Sequence, residues 1–247
     1  METVKSEEYR GYTINICPDE YPQDPRDWDN LGIIAYKHSN YKLGEEEISD
    51  PVDWLAGMLG FEDTYYFAEK HGQEQPYCDD IKSILEEMFL TKYVAAPLYI
   101  YEHGGIRIKI GDFHNCGLSQ GHARFDSGQF GYIYTTLEQL NKLGHDWKRW
   151  SAKRRKQAME WLSNEVETLD QYVSGDVYGF EILNPEGESV DSCWGYFGYE
   201  NIDELIDECK STVDYEIKDV MKKRFTKIKE YINNKVPFIY RELPELV

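Results

Sequence analysis

The chain has 247 residues, 41% of them hydrophobic and 15% aromatic, with a formal net charge of −19. These values exclude global disorder and leave enough length to bury a sizeable core. Residues 1–8 carry no apolar run, no window reaches about 18 apolar residues, and five scattered cysteines lack any Cys-x-x-Cys, so no leader, membrane span or disulfide framework is expected.

In chain order, Tyr9 to Ile16 alternates as a strand and Tyr21 to Pro25 is a proline-stiffened loop. Leu31 to Tyr36 is a short apolar run that fits a buried strand, and Gly44-Glu45-Glu46-Glu47 breaks it. Asp50-Pro51 predicts a helix start with the cap at Asp50 and proline at the first helical position, and Gly60 ends it. Residues 79–90 place Ile81, Ile84, Leu85, Met88 and Phe89 on one helical side. Pro97 to Tyr101 and Ile106 to Ile110 flank Glu102-His103-Gly104-Gly105 as a hairpin.

Residues 111–128 have no period and predict a long loop, and Phe130 to Thr135 is another strand. Ser151 to Ser174 is the clearest helix, capped by Gly175. Val177 to Leu183 and Ser189 to Trp194 make a second hairpin. Asn201-Ile202-Asp203-Glu204 reads as a capping box opening a helix to about Cys209, and a last helix spans Val213 to Asn233. Strands and helices without a strict βαβ rhythm predict an α+β fold: a mixed, mostly antiparallel sheet packed by several helices, including a long C-terminal one. No linker composition stands out, so one domain over residues 1–247 is expected, with a helical subregion at 201–247.

The charge is segregated. Residues 1–90 hold 21 acids against 7 bases, and residues 161–215 hold 14 against 1. Residues 91–160 hold 6 acids against 11 bases, and residues 216–247 hold 5 against 8. A field of this sign repels phosphates, so binding to free duplex DNA is not expected. The acidic clusters Glu45, Glu46, Glu47 and Asp203, Glu204, Asp207, Glu208 are candidate binding residues, able to imitate a polyanion in a partner's nucleic-acid groove. A solubility surface explains the same composition without a partner. Lys148 to Lys156 puts positive charge at a helix start, against the dipole, and pairing with the acidic blocks is the expected use.

No phosphate loop, Gly-x-Ser-x-Gly, His-Glu-x-x-His or zinc-type cysteine pair is present. His38, His103 and Asp126 form the candidate catalytic set, because imidazole and carboxylate can share acid–base work when they meet. All three lie at the edges of predicted strands, and scatter is the expected outcome. His114, Cys116 and His122 with Asp126 have ligand chemistry suited to a metal but no recognised spacing, and no metal or cofactor is expected.

Three stretches occur together: Asp27-Trp28-Asp29-Asn30-Leu31-Gly32 with Tyr41-Lys42-Leu43-Gly44; Pro97 to Ile106 with Asp126-Ser127-Gly128-Gln129-Phe130-Gly131-Tyr132; and Gly175-Asp176-Val177-Tyr178-Gly179-Phe180 with Asp191-Ser192-Cys193-Trp194-Gly195. This pattern resembles a family of uncharacterised proteins of bacteriophages and mobile elements, over about residues 24–200. The resemblance implies that His38, His103 and Asp126 fall on recurring positions. The chain has Ala123-Arg124-Phe125 where the family pattern has Cys-Pro-Trp, so His114, Cys116 and His122 do not look like family features. With the acidic blocks, it implies a non-enzymatic phage protein in the host cytosol. Such a protein would inhibit a nucleic-acid-handling defence complex, as an anti-CRISPR does. The alternative is a small hydrolase acting on nucleotides or nucleic acid through His38, His103 and Asp126. A structural or assembly protein of the phage is a third reading.

Overall fold

The computed structural model describes residues 2–62, 64–75, 77–113 and 125–237. They form an α+β structure that divides into two compact units, one from residues 1–20 with 177–247 and one from residues 21–176.

The larger unit is a five-stranded sheet in the order β4-β3-β7-β5-β6, with β3 at Ile33–Tyr36, β4 at Glu46–Glu47, β5 at Val94–Glu102, β6 at Ile106–Ile110 and β7 at Ser127–Thr135. Every pairing is antiparallel except the short β3–β4 contact. One face is covered by α1 (Pro51–Leu59), α2 (Thr64–Lys70) and α3 (Asp79–Lys92), which bury Leu55, Phe67, Leu85 and Phe89 against Tyr132 and Tyr134. After the short α4 (Leu137–Lys142), the other face receives α5 (Ala152–Ser174), whose Ala158, Leu162, Val166 and Leu169 meet Ile34, Leu98 and Ile133. Two opposed apolar layers follow from strand alternation, which sends Tyr132 and Ile133 to opposite sides.

Local chemistry sets the element ends. The Asp50 carboxylate accepts the Val52 and Asp53 amides at 2.8 and 3.2 Å, and Gly60 closes α1 in the left-handed region. Edge strand β6 is blunted by Asp170 of α5, which takes the Ile108 amide at 2.6 Å and the Arg107 guanidinium at 2.6 Å. Helices α2 and α4 are absent from the sequence expectation. Each is under two turns, too short to show a period.

The smaller unit is an antiparallel sheet in the order β1-β2-β8-β9, with β1 at Lys5–Tyr9, β2 at Tyr12–Pro18, β8 at Val177–Leu183 and β9 at Ser189–Phe197. The single strand expected at Tyr9 to Ile16 is instead the hairpin β1–β2. Its turn, Arg10-Gly11, has φ of +52° and +83°, a geometry that suits the twist of the flanking strands. One helix, α6 (Ile202–Lys235), replaces the two expected. Ile202, Leu205, Ile206, Cys209 and Val213 make one continuous stripe on the sheet, and this packing carries the helix through Lys210-Ser211-Thr212. The capping box does not form: the Asn201 side-chain Nδ2 donates to the Phe197 carbonyl at 2.9 Å instead.

Glycine carries part of the packing. A Cβ on Gly131 would collide with the Ala35 carbonyl oxygen across the β3–β7 pair, whereas one on Gly57 in α1 would meet nothing within 4 Å. Gly131→Ala is therefore expected to cost about 1–3 kcal/mol in urea unfolding. Gly57→Ala should add about 0.5–1 kcal/mol by reducing the freedom of the unfolded chain. Equal effects at the two positions would contradict the packing argument.

Candidate functional site

The candidate residues of the larger unit gather at one end of its sheet. Lys37 extends β3 beside β7, its amide bonding to Phe130 O at 2.7 Å, and delivers His38 to the end of β5. There His38 Nε2 lies 3.4 Å from Glu102 Oε2. The other ring nitrogen, Nδ1, accepts the Asn40 and Tyr41 amides at 3.3 Å each, so the hydrogen sits on Nε2 and points to Glu102. The Tyr41 ring stacks on the imidazole at 5.2 Å.

His103 forms a second pair, with Nδ1 3.0 Å from Asp126 Oδ2. The two pairs are joined through backbone, since the Glu102 amide donates to the Asp126 carbonyl at 2.9 Å. Alternation along β5 puts Glu102 on the side of Leu98 and Ile100, whereas the His103 ring lies by Tyr101, centroids 6.2 Å apart. The structure thus brings His103 and Asp126 within hydrogen-bond reach and gives His38 a different partner on the other side of the strand.

A cleft of about 420 Å³ opens beside His38, lined also by Tyr41, Lys42, Glu45 and Glu47; His103 and Asp126 are not part of its wall. An aspartate-oriented imidazole is the base half of an acid–base dyad. In His103–Asp126 both side chains are open to solvent, at 55% and 30% exposure. His114, Cys116 and His122 lie outside the described residues. Among the described residues no three metal-ligating side chains are gathered.

The loop before β3 is built around Arg26. Its guanidinium, 7% exposed, bridges Glu45 at 2.6 Å and Glu165 of α5 at 3.2 Å and donates to the Gly32 carbonyl at 2.7 Å. The Glu165 carboxylate also accepts the Leu31 amide at 2.7 Å and the Gly32 amide at 3.1 Å. A Cβ on Gly32 would lie 2.7 Å from the Ile133 and Leu162 side-chain tips, which would have to shift to admit it. Burial pushes the Glu165 carboxyl above its ordinary value, against the opposing pull of Arg26 and the two amides. Glu102, Arg26 and Glu165 were missed from sequence. For Glu165 a signal existed: it is a charged residue inside the apolar stripe that holds Leu162 and Leu169.

Gln129 is a further polar anchor, accepting from Lys82 at 2.8 Å and donating to Glu86 at 3.1 Å, which ties β7 to α3.

The acidic candidates divide by role. Glu45 and Glu46 turn to structural partners: Glu45 takes Arg26 and the Ile34 amide, and Glu46 takes the Tyr134 hydroxyl at 3.1 Å. Glu47 is exposed. On α6, Asp203 pairs with Lys5 and Asp207 with Lys210, while Glu204 and Glu208 stand exposed on the same helix.

The basic cluster does not seek the acidic blocks. Arg155 donates to the Tyr93 and Thr91 carbonyls at 3.0 and 3.1 Å, at the C-terminus of α3, and Arg154 lies over the Trp147 ring. Free carbonyls at a helix end attract a cation more directly than distant acids do.

No family model matches the chain, and comparison with curated proteins and with solved structures finds no match.

The Arg26 node yields a pH-dependent expectation. Arg26→Met leaves Glu165 buried without its cation, which should cost about 3–5 kcal/mol at neutral pH. The raised folded-state pKa of Glu165 means that its contribution is greatest below the ordinary carboxyl range. That contribution is lost as pH rises through the raised value. The gap between variant and parent in denaturant melts should therefore narrow toward acid pH. A gap that stays constant would show that the charge of Glu165 is not the source.

Proposed function

We propose that this chain is a phage-type binding protein that acts in the host cytosol on a nucleic-acid-handling defence complex, through acidic surface and not through a catalytic pocket. The observation that carries this reading is the first half of α6, where Glu204 and Glu208 are exposed beside the ion-paired Asp203 and Asp207. Exposed carboxylates on a rigid helix present negative charge at fixed spacing, the arrangement that electrostatic complementarity to a nucleic-acid groove requires. Glu45 and Glu46 leave the binding set, since fold contacts occupy them.

The test is plaque formation on a bacterial host with an active nucleic-acid-targeting defence and expressing the chain. Protection of the phage is expected, and Glu204→Lys with Glu208→Lys should reduce it at least tenfold with the fold intact by circular dichroism. Full protection by the reversed variant would sink the acidic-surface reading.

A hydrolase acting on nucleotides or nucleic acid is the second reading, favoured by the 3.0 Å His103–Asp126 contact. It expects hydrolysis of nucleotides or single strands by the purified chain, falling about 10²–10⁴-fold in Asp126→Asn. Equal turnover by parent and variant would remove the dyad from consideration.

A further inference from the structure

Helix α6 outruns the sheet it packs on. Its buried residues end at Val213, with Ile217 half-buried, yet it continues to Lys235. Residues 218–235 add roughly 27 Å of helix at 1.5 Å per residue. Along this stretch Met221, Phe225, Ile228 and Tyr231 are 64%, 42%, 55% and 65% exposed. Three of them, Met221, Phe225 and Ile228, lie on one face, which is more than scattered surface apolarity.

At about 100° per residue, Met221, Phe225, Ile228 and Ile232 fall within an arc of about 60°. Lys218, Lys222 and Lys229 flank that arc on one side, and Arg224 and Lys235 on the other. Residues 218–235 contain six lysines and one arginine against Asp219 and Glu230, in a chain of net charge −19. Lys223 is already paired with Asp219, on the back of the helix.

We infer that the distal half of α6 is a docking face for an anionic lipid surface, lying in its plane with the apolar arc inserted and the flanking lysines at headgroup level. Two requirements must be met together. The apolar arc needs an apolar medium, and the charges on both of its borders need anions; the boundary of an anionic bilayer supplies both. A second copy of the helix would supply the apolar face but would set lysine borders against lysine borders. A built protein groove favours arginine, whose planar fork makes fixed paired bonds, and is depleted in lysine. Six lysines of seven cations fit a diffuse field of anions, because long lysine stems reach headgroups while their carbons line the apolar boundary. The acidic first half of α6 does not cancel this face, since fields between exposed charges fade over about 8 Å at physiological salt. No described helix is long and apolar enough to cross a membrane, and lying on one is a different demand.

The test is sedimentation of the full chain with extruded vesicles of phosphatidylcholine alone or mixed with phosphatidylglycerol, at low and physiological salt. Binding to the mixed vesicles, weakened by salt, is expected, with little binding to phosphatidylcholine. Phe225→Glu with Ile228→Glu should abolish it. Both side chains are exposed, so the fold should survive, as checked by circular dichroism and urea unfolding. Lys222→Gln with Lys229→Gln should lower the partition coefficient about twenty-five-fold, at about five-fold per lysine. Failure to pellet with the mixed vesicles would overturn the inference. So would pelleting that the glutamate variant retains. Analytical ultracentrifugation of the same proteins is expected to show no association that depends on this face. A concentration-dependent dimer dissolved by Phe225→Glu with Ile228→Glu would overturn the lipid assignment in favour of a second copy.

Discussion

A single guanidinium governs how the larger unit is assembled. Helix α5 must bury its apolar stripe on the sheet, but that stripe contains Glu165, whose charge is costly away from water. Arg26 and the amides of Leu31 and Gly32 answer that cost together. The loop before β3 is thereby held on α5, and Glu45 is drawn to the other side of the same guanidinium. Glu45 in turn takes the Ile34 amide, which sets β4 beside β3. The cleft beside His38 lies in this segment, so its shape depends on the Arg26–Glu45 pair, whose carboxylate is part of its wall.

Sequence periodicity showed the long elements well, because α3, α5 and the β5–β6 hairpin each carry several repeats of their apolar pattern. It failed where the deciding contact is distant. The Arg10-Gly11 turn needs two successive residues at positive φ, and only the pairing of β1 with β2 selects that. The break expected inside α6 followed local propensity, whereas Cys209 and Val213 against the sheet decide its continuity. The same asymmetry holds for the site. His103 and Asp126 were legible because imidazole and carboxylate are conspicuous at strand edges. Glu102 was hidden in a turn and Arg26 in a proline loop, and their importance comes from partners 64 and 139 residues away.

Charge segregation in the sequence becomes intelligible on the helices. The passage from acids to bases near residue 216 falls inside α6, where acids lie toward the N-terminus and bases toward the C-terminus, as the helix dipole favours. Part of the acidic block thus serves its own helix, and Asp203 and Asp207 are further committed to Lys5 and Lys210. At α5 the order is reversed, with bases at the start. The cost there is offset because Arg155 serves the C-terminal carbonyls of α3.

The two histidine–carboxylate pairs owe their closeness to backbone pairing. The bond from Glu102 N–H to Asp126 O continues the β5–β7 pairing and so brings the two pairs to the same end of the sheet. Each pair can form without the other, and either would exist in a sheet whose end is merely polar. Catalysis asks for more: a substrate atom held against a base whose orientation is already set. His38 is the better oriented of the two rings, with Nδ1 committed to two amides, but that commitment removes the lone pair a general base would use. His103 faces solvent beside Asp126 and has the chemistry without the enclosure. Orientation and availability are thus divided between two rings.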